Sequence, residues 1–193
     1  LKRVLMRSSM GIKITLSPEY SFPIPLEDCI DALNFITLQS DLLIDHKNLT
    51  IMGDSAGGNL ATVIAHQFND QTQYNITSEI LFYPVTTMHA DTASYDRIST
   101  GFPLSSQTMK WFIRQYISNE TDFNDPRHSP ILNDQLNQNI KSFITTVGLD
   151  PLCDEGVEYA AKLIKNGNFV EFHHLPDTIH GILTSAKIIK LGE

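Results

Sequence analysis

The order of apolar and polar residues predicts a chain in which strands and helices alternate. Short runs that are apolar or alternating, and rich in β-branched residues, predict strands at 11–16, 48–52, 79–83, 141–147 and 169–173. Between them, apolar residues recur at helical spacing and predict helices at 25–43, 56–68, 105–117 and 154–165, with a further helix from 182 onward. This alternation is typical of a parallel sheet with helices on both faces.

One stretch departs from the alternation. The segment 86–139 is too long for a plain crossover between two neighbouring strands. We expect it to form an excursion over the edge of the sheet that carries the active site. The 193 residues are otherwise sufficient for one domain with a sizeable core.

The turn that follows the strand at 48–52 carries the segment Gly53-Asp54-Ser55-Ala56-Gly57. A Gly-X-Ser-X-Gly pattern between a strand and a helix is typical of a nucleophile elbow, whose strained turn holds the serine hydroxyl out at the sheet edge. The glycines two before and two after the serine let neighbouring segments approach closely. The N–H of Ala56, at the helix start, is placed to donate to a developing oxyanion. We predict Ser55 as a nucleophile; a turn without chemistry is the alternative.

A serine hydroxyl needs a base that removes its proton, and that base needs a third group that orients it. His180 lies beyond the last strand, on a loop at the edge where the base belongs, whereas His66 lies on the helix after the elbow, facing away or into packing. Asp150 follows the strand at 141–147 and is the candidate acid. Asp154 and Glu155 begin the next helix, where we expect simple helix capping because carboxylates favour that position.

Several segments, in this order along the chain, carry a family resemblance: Leu16 to Glu19, Gly53 to Leu60, Tyr83-Pro84, Trp111-Phe112, Asp125 to Arg127, Gly148 to Gly156 and His180-Gly181. Together they resemble the hormone-sensitive-lipase-like branch of the α/β-hydrolases, in its subgroup with a Gly-Asp-Ser-Ala-Gly elbow. The resemblance implies an α/β-hydrolase fold and an esterase triad of Ser55, Asp150 and His180.

The chain also departs from the family pattern. Thr15 and Cys153 stand where the family has arginines, and Ile182 stands where it has phenylalanine. No segment resembles the family's His-Gly-Gly-Gly loop, which supplies further oxyanion donors upstream of the elbow. The expectation is therefore an N-terminally truncated domain in which 1–10 ends a helix and the elbow strand has an open edge.

Composition and charge exclude some classes of partner. Fourteen Lys and Arg against 22 Asp and Glu give a formal charge of −8, and there is no basic stripe, so nucleic acid is not an expected partner. No run approaches the ~18 apolar residues of a membrane span, and the apolar run at the start is too short for a signal peptide. The two cysteines, Cys29 and Cys153, are expected to be free core thiols.

These features favour a cytoplasmic location, although sequons at Asn48, Asn75 and Asn119 leave a lumenal or secreted origin open. No metal or cofactor is expected, and a homodimer is one candidate oligomeric state.

The first functional hypothesis is a carboxylic-ester hydrolase that acts on small acyl esters. With few oxyanion donors, we expect weak or no hydrolysis of a short-chain p-nitrophenyl ester by these 193 residues. The second is a catalytically impaired fragment or non-catalytic relic. Amide hydrolysis and acyl transfer use the same three groups and form a third.

Overall fold

The computed structural model describes residues 10–39, 42, 44–69, 72–117 and 123–185, with the backbone alone at 184 and 185. Its strands are β1 (Leu49–Asp54), β2 (Ile76–Phe82), β3 (Lys141–Leu149) and β4 (Val170–Ile179), which form one parallel sheet in the order β1-β2-β3-β4. The helices are α1 (Ile24–Thr37), α2 (Ala56–Gln67), α3 (Ala93–Arg97), α4 (Ser106–Tyr116), α5 (Cys153–Asn166) and α6 (Ile182–Ser185), with a 3₁₀ turn at Pro130–Leu132. The predicted fold class, a parallel α/β sheet flanked by helices, is confirmed.

Helices α2 and α5 pack against the same face of the sheet. The hydroxyls of Thr62 on α2 and Tyr159 on α5 lie 2.8 Å apart, and both residues are fully buried. Apolar side chains from all four strands and the two helices complete this core: Ile51, Ala61, Leu81, Ile144, Ala160, Leu163 and Val170. On the opposite face Met52 of β1, at the edge of the sheet, is 64% exposed.

The strand predicted at 11–16 is not formed. A strand is stabilised by a neighbour that pairs its N–H and C=O groups, and no strand of the described chain lies beside this segment. The side chain of Asp28 on α1 takes the local donors instead: its Oδ2 accepts from the N–H of Thr15 at 2.8 Å and from its hydroxyl at 2.6 Å. Leu16 is 69% exposed.

Other element boundaries differ from expectation at the ends. Helix α1 ends at Thr37, whose hydroxyl bonds back to the carbonyls of Leu33 and Asn34, rather than at 43. Strand β4 continues to Ile179, beyond the predicted end at 173. The helix end expected at 1–10 falls outside the described residues except for Met10, which is not helical, and Asn119 also lies outside them.

The excursion between β2 and β3 contains α3, α4 and the 3₁₀ turn. It is anchored beside the start of α5, where Ser94 donates its hydroxyl to the carbonyl of Pro151 and its N–H to Asp154. Helix α4 begins at a capping serine, Ser105, whose hydroxyl accepts from the N–H of Thr108. The excursion therefore lies next to the loop that follows β3.

Candidate active site

Three of the four strands end one residue before a predicted catalytic group. Ser55 follows the last residue of β1, Asp150 that of β3, and His180 that of β4. Because the carboxyl ends of parallel strands meet at one edge of the sheet, the topology brings these three side chains together, although 125 residues separate Ser55 from His180.

Ser55 sits in a strained turn between β1 and α2. Its backbone has φ 53° and ψ −120°, a conformation that non-glycine residues rarely adopt. Its N–H donates to the carbonyl of Phe82, and its carbonyl accepts from the N–H of Val85. These two bonds tie the serine to β2 and to the segment after β2, so the turn is held from the neighbouring strand.

Gly53 permits this turn because a β-carbon there would lie 2.1 Å from the carbonyl oxygen of Gly57. Gly58 is also restricted, since its β-carbon would meet Pro84 at 3.0 Å. At Gly57, by contrast, the nearest atom to an added β-carbon is an Asp54 carboxylate oxygen at 4.0 Å. The expectation that Gly57 must be glycine for neighbouring segments to approach closely is wrong. The backbone carbonyl of Gly57 lies close to Gly53, but a side chain at position 57 would have room.

The side chains of Ser55, His180 and Asp150 form one chain of hydrogen bonds. His180 Nε2 lies 3.0 Å from Ser55 Oγ, and His180 Nδ1 lies 2.6 Å from Asp150 Oδ2. Asp150 is fully buried and also accepts the N–H of Leu152 on its other oxygen at 2.9 Å. With this carboxylate as acceptor, Nδ1 carries the hydrogen and Nε2 presents its lone pair to the serine hydroxyl. The geometry suits proton abstraction from Ser55.

The ring of Tyr83 packs against the imidazole of His180. The two ring centroids lie 4.5 Å apart, and the backbone of Tyr83 has φ 36°. Burial raises the pKa of its phenol, and the nearby carboxylates of Asp54 and Asp150 add to that shift. The Tyr83-Pro84 pair was noticed in the sequence only as part of the family resemblance, because its contact with a residue almost 100 positions away carries no local signal.

The helix capping expected for Asp154 and Glu155 is wrong. The residue before α5 is Leu152, and it makes no side-chain capping bond. Asp154 instead pairs with Arg97 at 3.0 Å, and Glu155 is fully buried against the chain after β2. Both residues lie in the first turn of α5, as the sequence predicts, but their partners are tertiary and sequence position alone does not reveal them.

The Ala56 N–H is the first donor of α2. The first four N–H groups of a helix have no acceptor inside it, so this donor is free of the helix ladder and lies beside Ser55. Asp54 ends β1 with an exposed side chain. The elbow residues thus surround Ser55 as the motif predicts.

Other predicted features are located as follows. Cys29 and Cys153 are free and buried, and burial raises the pKa of the Cys29 thiol to about 11. Among the described residues, no three His, Cys, Asp or Glu side chains are grouped to hold a metal ion. In the same part of the chain, no helix has the length and apolar character to cross a membrane.

Comparison with known proteins identifies the family. A family model described as alpha/beta hydrolase fold matches residues 10–184. The chain belongs to this family. The resemblance to the esterase branch inferred from the sequence motifs is confirmed.

The chain is similar to several esterases. It is 33% identical over 183 residues to an ethyl acetate hydrolase of Pseudomonas putida, covering 94% of this chain and 58% of the relative. It is 33% identical over 183 residues to carboxylic ester hydrolase LipN of Mycobacterium tuberculosis, covering 90% and 48%. The solved esterase of Pyrobaculum calidifontis superposes with a TM-score of 0.84 at 33% identity, over 92% of this chain and 59% of that one. The chain thus spans about half the length of the curated relatives it matches.

Proposed function

We propose that this chain hydrolyses carboxylic esters of small acyl groups through an acyl-enzyme on Ser55. The observation that carries the proposal is the continuous hydrogen-bonded chain from Ser55 Oγ through His180 to the buried carboxylate of Asp150. The similarity to enzymes named as ester hydrolases supports esters rather than amides as substrates.

The reaction follows from the positions of the three groups. His180 Nε2 takes the proton of Ser55 as Oγ attacks the ester carbonyl, and Asp150 stabilises the imidazolium that forms. The Ala56 N–H donates to the oxyanion of the tetrahedral intermediate. The imidazolium then gives its proton to the leaving alcohol. Water, deprotonated by the same imidazole, attacks the acyl-enzyme; as the bond to Ser55 Oγ breaks and the acid leaves, the imidazolium returns the proton to Oγ.

We further infer that the excursion at 86–139 covers the acyl side of the site. The bonds of Ser94, near the start of this excursion, to Pro151 and Asp154 beside the loop of Asp150 support the inference. Helix α4 presents a pair of half-exposed aromatic rings, Trp111 and Phe112, in edge-to-face contact with centroids 5.3 Å apart. Apolar surface of this kind suits an acyl chain.

The test is covalent labelling with a fluorophosphonate, followed by peptide mass analysis. We expect attachment at Ser55 in the wild type and none in S55A. Hydrolysis of p-nitrophenyl acetate by these 193 residues should be slow, because the loss of one oxyanion donor costs about 100- to 1,000-fold in rate and Ala56 alone is assigned as a donor among the described residues. A folded wild-type protein that takes up no label would refute the proposal and favour the relic.

A further inference from the structure

Glu155 carries a buried carboxyl group, about one helical turn along the chain from the candidate acid. It lies in the first turn of α5, five residues after Asp150, and its exposure is 0%. Its Oε2 and the hydroxyl of Tyr95 each lack a well-formed hydrogen bond among the described residues, although the two side chains are close enough for Tyr95 to lower the pKa of Glu155. Burying a carboxyl group is costly unless its oxygens are hydrogen-bonded, so the burial of Glu155 calls for an explanation.

The other oxygen of Glu155 holds the chain segment that leaves β2. Oε1 accepts the backbone N–H of Thr86 at 2.6 Å and that of Thr87 at 3.3 Å. The backbone carbonyl of Glu155 accepts the hydroxyl of Thr86 at 3.0 Å. Three bonds thus join the first turn of α5 to two consecutive residues, although 69 positions separate Glu155 from Thr86.

The segment so held supports two members of the triad. Val85 donates its N–H to the carbonyl of Ser55 at 3.2 Å, and its own carbonyl accepts from Asn59 of α2 at 2.9 Å. Two residues earlier, Tyr83 places its ring against His180. Val85 is adjacent to Thr86 in the chain, and Tyr83 is three residues before it. We therefore expect a shift of Thr86 to move the backbone that contacts the turn of Ser55 and the ring that contacts His180.

We infer that Glu155 is a positioning residue that fixes the segment after β2 and thereby the alignment of Ser55 with His180. This inference rests on the proposed function. Glu155 touches no reacting atom; it acts through Val85 and Tyr83. It also joins the acid to the other two groups, because the same helix start carries the loop of Asp150.

The inference depends on the acceptor oxygen and its reach, and not on a negative charge. A glutamine at 155 keeps an oxygen at the same distance, whereas an aspartate is one methylene shorter. A leucine fills the volume but leaves the N–H groups of Thr86 and Thr87 without their acceptor. These three substitutions separate hydrogen bonding from filled space.

The experiment measures the rate of fluorophosphonate labelling as a function of reagent concentration, for the wild type, E155Q, E155D and E155L. We expect the maximal labelling rate constant to fall about 10- to 100-fold in E155D and E155L, with the half-saturating concentration unchanged, because small misalignments cost this much. E155Q should keep most of the wild-type rate constant. E158L, at an exposed position of the same helix, is the control and should label as the wild type does.

A rate constant per reactive site is insensitive to the amount of unfolded protein, so a purely structural role would lower the labelled fraction and leave the rate constant unchanged. That result in both E155D and E155L would overturn the inference. A fall in E155Q as deep as in E155L would also overturn it, since glutamine keeps the acceptor. Absence of label in the folded wild type would instead count against the proposed function.

Discussion

Two clusters in the described part of the chain combine a serine hydroxyl, an imidazole and a buried carboxylate, and only one of the two has the order that catalysis requires. In the candidate triad the imidazole stands between the hydroxyl and the carboxylate. In the second cluster, under α2, the carboxylate of Glu79 stands in the middle. Its Oε1 accepts from Ser142 at 2.7 Å and lies 3.3 Å from Nε2 of His66.

The second cluster cannot activate its serine. Nδ1 of His66 accepts the N–H of Asn137 at 3.2 Å, so Nε2 carries the hydrogen and points it at Glu79. The hydroxyl of Ser142 already donates to the same carboxylate, and the whole cluster is buried. The comparison teaches that the order of the three groups and their access to solvent distinguish a candidate nucleophile from a structural serine, because the functional groups are the same in both clusters.

The largest expected effects separate the two histidines. H180A should lower the rate of fluorophosphonate labelling by about 10⁴-fold or more, with little change in stability, because it removes the base. H66A should leave the labelling rate of folded protein unchanged and lower the free energy of unfolding by about 1–3 kcal/mol, because buried polar partners lose their bonds. Labelling kinetics and urea unfolding check both. Equal losses of labelling rate in H180A and H66A would contradict the assignment of different roles to the two histidines.

The next effect concerns the turn that exposes Ser55 and has no counterpart in the second cluster. G53A should cost about 3 kcal/mol and most of the labelling, because the new β-carbon overlaps the Gly57 carbonyl. G57A is the matched control. It has room, and it should be neutral or about 1 kcal/mol more stable, since alanine is favoured over glycine in a helix. Thermal unfolding of both variants decides the point; a tolerated G53A would contradict the geometry.

A third test uses the pH dependence of stability around the triad. Burial raises the pKa of Glu155 to about 8 from the 4.5 of a free side chain, although the N–H groups of Thr86 and Thr87 oppose the shift. Between these values the folded protein holds a proton that the unfolded chain releases, so this group's contribution to stability is full below pH 4.5 and is lost as the pH rises through about 8. E155Q cannot titrate there.

The stability of E155Q relative to the wild type should therefore increase with pH across that range. Urea unfolding of both proteins at several pH values measures the difference and cancels the other titrating groups. A difference that is independent of pH would show that the Glu155 carboxyl does not change protonation between the folded and unfolded states.

The last comparison contrasts the two serines, for which only small changes in stability are expected. S142A removes one donor to the buried Glu79 and should lower the free energy of unfolding by about 1–2 kcal/mol without any change in labelling. S55A should abolish labelling and leave stability within about 0.5 kcal/mol. Unfolding curves and labelling of the two alanine variants give the comparison directly, and a labelling loss in S142A would contradict it.

Much of the fold and the site was predictable because local patterns encode them. The four strands of the sheet and the helices α2, α4 and α5 follow from periodicity, and the elbow follows from a short motif in a strand-to-helix context. The prediction of a strand at 11–16 was wrong because a strand needs a neighbouring strand to pair with, and the residue pattern of one segment does not show whether that neighbour is present. The capping roles of Asp154 and Glu155 failed because their partners lie about 60 to 70 residues away.

The sequence by itself determined the family, the parallel α/β architecture and the residue types of the triad, since each rests on neighbours along the chain. The sequence also favoured His180 over His66 as the candidate base, from its position beyond the last strand. Only the tertiary structure decided the contacts of the two histidines: His180 Nε2 lies 3.0 Å from Ser55 Oγ, whereas His66 Nε2, on α2, lies 3.3 Å from Glu79 Oε1. The direction of a hydrogen bond, the burial of a side chain and the distance between two groups depend on residues that come together only on folding. These properties therefore had to be taken from the folded chain.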